Sequence, residues 1–78
     1  MTLDRLNIGE HGVVTAVGGE GILRRRLLDM GITPGTRLMV RKMAPLGDPI
    51  EIYIRGYELT LRKEDAAKIT VDTSAAEK

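Results

Sequence analysis

RLMVRKMAPLGDPIEIYIRGYELTL, residues 37–61, is the stretch that decides the fold. Ile50, Ile52 and Ile54 alternate with Glu51, Tyr53 and Arg55. That period of two turns one side of an extended strand inward and leaves the other in solvent. Arg55-Gly56 is a two-residue hairpin link, after which Tyr57, Leu59 and Leu61 all point inward along a return strand. Upstream, Leu38 and Val40 oppose Arg37, Met39 and Arg41 in a strand over 37–43. The connection Ala44-Pro45-Leu46-Gly47-Asp48-Pro49 holds two prolines, which push Ala44 and Asp48 to extended backbone and away from helix.

Outward from this meander, Thr33-Pro34-Gly35-Thr36 fits a type II turn. Before it, Ile22–Met30 reads as the one longer helix, with Leu23, Leu27 and Met30 on a single stripe. Gly31 stands where a left-handed residue ends the helix, so that Ile32 folds back onto Leu27. Gly18-Gly19-Glu20-Gly21 stops an earlier strand over 12–17, in which Val13, Thr15 and Val17 share one face. Leu3 and Leu6 bracket a short turn. Downstream, Lys63–Lys68 gives one helical turn and Ile69-Thr70-Val71 a last strand. From Asp72 to Lys78 the chain is small and polar, and a disordered tail is expected, with the domain over 1–71.

Five short strands with one-sided alternation predict a mainly β fold. It is a small closed barrel with one helix after the first strand and a helical turn before the last. The expected core is Leu23, Leu27, Ile32, Leu38, Val40, Ile50, Ile52, Ile54, Leu59, Leu61 and Ile69.

With 78 residues and no cysteine, one domain must hold together by aliphatic packing, without disulfides or thiolate metal sites. Tyr53 and Tyr57 are the only aromatics. No apolar run approaches the roughly 18 residues needed to span a membrane. The opening Met1–Arg5 carries an acid and no apolar core, so a secretory signal is not expected. The absence of cysteine suits a reducing cytosol. Net charge is +1, too small by itself to argue for nucleic acid.

Four stretches then carry a family likeness: Leu28-Asp29-Met30-Gly31-Ile32-Thr33-Pro34-Gly35, Ala44–Pro49, Arg55-Gly56-Tyr57-Glu58-Leu59, and Leu61-Arg62-Lys63-Glu64-Asp65-Ala66. In order and spacing they resemble the FeoA family, the small ferrous iron transport proteins A, from about Leu3 to Val71. The resemblance implies an SH3-like barrel in the bacterial cytosol, assisting the membrane transporter FeoB, whose cytoplasmic part is a GTPase. Similar domains form the C-terminal part of iron- or manganese-dependent repressors. With no DNA-binding helical domain in this chain, the transporter accessory is the expected role and a free-standing relative of the repressor domain the alternative.

The residues argue against catalysis. Ser74 is the only serine, there is no cysteine, and no nucleophile–base pair can form from them. Glu64 and Asp65 read as a solvated, capped turn. Gly18–Gly21 before a helix lacks the lysine and Ser/Thr of a phosphate loop, and Glu20 occupies the place an anion would need. No cofactor is expected. His11 is the sole imidazole; with Glu10 it is a candidate for an adventitious surface metal contact, not a dedicated site. Arg24-Arg25-Arg26 and Arg37, Arg41 and Lys42 form basic clusters, so RNA binding on the outer sheet face is a further alternative. The candidate partner-binding residues are Arg24, Arg25 and Leu28 on the helix and Leu46 on the proline-bounded loop. FeoB is the expected partner, self-association a lesser expectation, and membrane insertion none.

Overall fold

Because alternating isoleucines need aliphatic neighbours on both sides, the sheet grows outward from residues 50–54. The computed structural model describes residues 1–76. The strands are β1 (His11–Val17), β2 (Arg37–Met43), β3 (Ile50–Ile54), β4 (Tyr57–Leu61) and β5 (Ile69–Asp72). They form one antiparallel sheet in the order β4-β3-β2-β1-β5. Ile52 lies opposite Val40 on one side and Leu59 on the other, and Ile54 opposite Leu38 and Tyr57. The pairing of Ile54 with Tyr57 is the one that a two-residue link at Arg55-Gly56 implies. The link Arg55-Gly56 has φ of 50° and 86°, the left-handed pair that matches a hairpin to strand twist.

In β1 the inward residues are Gly12, Val14 and Val17, whereas Val13 is half-buried and Thr15 exposed. The pairing with β5 steps from Val14–Val71 to Ala16–Thr70, which leaves Thr15 as a bulge. One extra residue inverts the alternation midway, so the expected Val13–Thr15–Val17 face holds only at Val17.

Helix α1 (Gly21–Asp29) ends as expected. Gly31 has φ 95°, its N–H bonds the Leu28 carbonyl at 3.0 Å, and the Ile32 N–H bonds the Leu27 carbonyl at 3.1 Å. These are the two bonds of a Schellman cap. Leu27 and Ile32 are buried, while Leu23 is only half-buried, as is Leu59 on β4.

Leu3, Leu6, Val14, Val17, Ala66 and Val71 join the expected core. Residues Leu3–Arg5 form a 3₁₀ turn, in which positions three apart eclipse, so Leu3 and Leu6 project from one side into the barrel. A short helix, α2 (Lys63–Ala66), leads from β4 into β5 and buries Ala66.

Among the described residues β4 and β5 are the outer strands, so full closure by strand pairing is not made. The free edge of β5 is covered instead by the chain's start. Thr2 bridges Thr70, and the Val71 N–H bonds the Met1 carbonyl at 2.7 Å. Such cover protects an edge from pairing with another chain. The expected tail also begins later than 71. Asp72 pairs with Val13, and its Oδ1 accepts the Ser74 N–H at 3.0 Å. That bond caps a short helix, α3 (Thr73–Ala76). Residues 77 and 78 of the expected tail lie outside the described residues.

Candidate functional site

Helix α1 presents Arg25 and Arg26 to solvent. Arg24 is anchored: its Nε donates to the Val17 carbonyl at 3.2 Å, tying the helix to the end of β1. Leu28 is half-buried and packs on the core, so it is part of the helix seat as well as its rim. Ile22, in the first turn, is 79% exposed and is the apolar residue this helix actually offers. Its place at the start of the apolar run hid that, because exposure there depends on how the helix is laid on the barrel.

The Leu46 loop leaves the other end of β2. Its backbone is pinned at two points, Gly47 N–H to the Ala44 carbonyl at 2.9 Å and Ala44 N–H to the Pro49 carbonyl at 3.0 Å, and its Asp48 side chain at a third, where Oδ1 accepts the Lys63 N–H at 3.0 Å. Ala44 and Asp48 are extended, as expected ahead of proline. Leu46 itself has φ 71° and is 97% exposed. The turn after α1 enters β2 at Arg37 and the Leu46 loop departs at Met43. Seven residues at about 3.3 Å each set the two regions about 20 Å apart along the strand. The candidate residues therefore form two separate surfaces.

A latch joins the β3–β4 hairpin to the end of α1. Arg55 Nε donates to the Gly31 carbonyl at 3.2 Å, and its Nη2 to the hydroxyls of Thr33 and Thr36 at 3.0 and 2.8 Å. The Tyr57 hydroxyl donates to the Met30 carbonyl. Two of these donors, Arg55 Nε and the Tyr57 hydroxyl, meet carbonyls just beyond the last turn of the helix, and Nη2 meets the two threonine hydroxyls. Tyr57 is thus half-exposed over the helix and not an inward core residue.

On the outer sheet face, His11, Arg37, Met39, Tyr53 and Arg55 line a shallow depression. His11 is exposed opposite Met39. Glu10 turns back, its Oε1 accepting the Asn7 N–H at 2.7 Å. Sequence neighbours on extended chain diverge, and two arginines border the imidazole, an unfavourable setting for a cation. Among the described residues no three His, Cys, Asp or Glu side chains gather in a metal-holding group.

On the same sheet face Glu51 and Glu58 lie diagonally across β3 and β4, placed for a hydrogen bond between the carboxyls when one is protonated. The bond, with desolvation and the Glu58 charge, raises the Glu51 carboxyl above its ordinary value. The same bond, with Arg41, lowers that of Glu58, whose Oε1 is 3.0 Å from Arg41 Nε. No helix among the described residues is long and apolar enough to cross a membrane.

Residues 1–73 match the FeoA domain. A curated Porphyromonas gingivalis protein, the Fe(2+) transport protein A/Fe(2+) transporter FeoB fusion protein, is 43% identical over 72 residues, covering 92% of this chain and 8% of its own length. This chain thus spans less than a tenth of that relative. The solution structure of a FeoA protein from Chlorobium tepidum superposes with a TM-score of 0.86 at 45% identity, over 94% of this chain and 70% of the other. A zinc-complexed FeoA from Stenotrophomonas maltophilia, described as an SH3 domain protein, gives 0.83 at 26% identity, over 95% and 92%.

Proposed function

The chain belongs to the FeoA family, and on that premise we propose that it is a non-enzymatic accessory of ferrous iron uptake that contacts the membrane transporter FeoB from the cytoplasmic side. The observation that carries this reading is the relative in which a matching segment and the transporter share one chain. Fusion holds a domain at a high effective concentration beside its partner, an arrangement that serves two parts which touch. The pinned Leu46 loop and the exposed Arg25 supply the kinds of groups that protein interfaces use, an apolar anchor and a cation.

The test is capture of full-length FeoB from detergent-solubilised membranes by the immobilised domain, with and without guanine nucleotide. Retention of the transporter is expected, and its absence in both conditions would overturn the reading. Arg25→Glu is the better helix probe than Leu28→Asp, because Leu28 also packs on the core. It is expected to leave the melting temperature unchanged and to slow association with the transporter.

Nucleic-acid binding is the second reading, and the Tyr53 depression with Arg37 at its border is what favours it. It would appear as retention on single-stranded RNA that falls steeply with salt.

A further inference from the structure

Two non-glycine residues among those described hold left-handed backbone, Arg55 at φ 50° and Leu46 at φ 71°. For an L-residue with a Cβ that conformation is unfavourable, and it persists only where something offsets it. At Arg55 the offset lies inside the molecule, in the three hydrogen bonds to Gly31, Thr33 and Thr36. At Leu46 the free domain offers nothing of the kind. The side chain is 97% exposed, so it buries almost no apolar area, and it has no polar atom with which to bond its own backbone.

The turn demands a positive φ at this position, and glycine or asparagine are its ordinary occupants. Leucine is therefore the poorer choice for the local backbone and for a surface in water. Apolar cover over the side chain removes the second disadvantage and, by burying the leucine, offsets the first.

The surroundings fit that role. The three hydrogen bonds that pin 44–49, with Pro45 fixing the preceding φ, set where Leu46 projects before any partner arrives. A side chain already held in place loses little freedom on docking. Met43, Ala44 and Pro49 line a shallow depression beside it, which Lys42, Glu51 and Thr60 complete.

We propose that Leu46 is a preformed anchor that inserts into an apolar pocket on the cytoplasmic part of FeoB. This rests on the partner reading above. The relative that carries a matching segment and the transporter in one chain favours FeoB over a second copy of the domain as the occupant.

Full-length FeoB in lipid nanodiscs is titrated with the wild-type domain and with Leu46→Asn and Leu46→Met, and the melting temperature of each domain is measured alone. Leu46→Asn is expected to melt higher than the wild type, because the turn is relaxed, and to bind at least about tenfold more weakly. Leu46→Met keeps an apolar reach and is expected to bind within about threefold of the wild type. Undiminished binding by Leu46→Asn beside a binding wild type overturns the anchor and leaves the partner reading intact. A lower melting temperature for Leu46→Asn shows that the leucine serves the fold and overturns it also. So does an effect confined to self-association in sedimentation. Absence of wild-type binding overturns anchor and partner reading together.

Discussion

Gly31 sits where the carbonyls ending α1 meet the β3–β4 hairpin. A Cβ there would stand 3.1 Å from the Tyr57 hydroxyl and 3.3 Å from Arg55 Cδ. Gly31→Ala is expected to lose about 1–2 kcal/mol from backbone handedness, and displacement of Tyr57 from the Met30 carbonyl adds to that. Urea unfolding checks it; a variant as stable as the wild type would contradict this account. The need for glycine was legible in the sequence, because the helical stripe stops one residue before it. The crowding was not, because Tyr57 and Arg55 arrive from a distant hairpin.

Glu51 and Glu58 make a pH prediction of the same scale. Glu51 is raised when folded, so its stabilisation is present below the ordinary glutamate value and is lost as pH rises through the raised one. Glu58 is lowered, so its stabilisation is present above the ordinary value and is lost as pH falls through the lowered one. Glu51→Gln removes the first contribution and the hydrogen-bonded carboxyl pair with it. Melting curves from about pH 3 to about pH 7 are expected to lose the decline just above the ordinary glutamate range. An unchanged profile would show that the pair is uncoupled.

Helix α1 is held only in part by its own burial. Leu27 is its single buried residue, so the Arg24 bond to β1, the Schellman cap and the Arg55 latch supply much of its seating. Arg55→Lys keeps the charge but not the planar fork that reaches three acceptors at once. It is expected to cost about 1–2 kcal/mol and to speed amide exchange at Met30 and Gly31 in the last turn of α1. Exchange unchanged there would mean that the cap alone holds the helix. Arg55-Gly56 could be read as a hairpin link from its position between two alternating runs, whereas its contacts needed the partner loop at 31–36. The bulge at Thr15 was hidden for a similar reason. A Val-Val-Thr-Ala-Val run suits a strand on either face, and only the pairing with Val71 and Thr70 chooses where the alternation slips.

For the whole molecule, the N-terminal segment counts as core. A domain of 78 residues has about 4–12 kcal/mol of stability at the usual value per residue. Ile52 and Leu3 are both fully buried, one at the centre of the sheet and one in the seam beside β5. Each truncation to alanine is expected to cost about 2–5 kcal/mol, a large share of the total. Leu3→Ala unfolding at nearly wild-type denaturant concentration would show the seam to be dispensable. The sequence by itself determined the strand count, the inward isoleucines of β3, the helix stop and the rigid 44–49 turn, since each depends on residues adjacent along the chain. It also carried the family likeness, through four turn-forming stretches in a fixed order. Tertiary structure alone decided the rest. It set which face of β1 turns inward, the burial of Leu3 and Leu6, and the seating of Leu28. It also put about 20 Å of β2 between the helix surface and Leu46. These depend on segments distant in the chain meeting in space, and local periodicity holds no information about which segment a side chain will face.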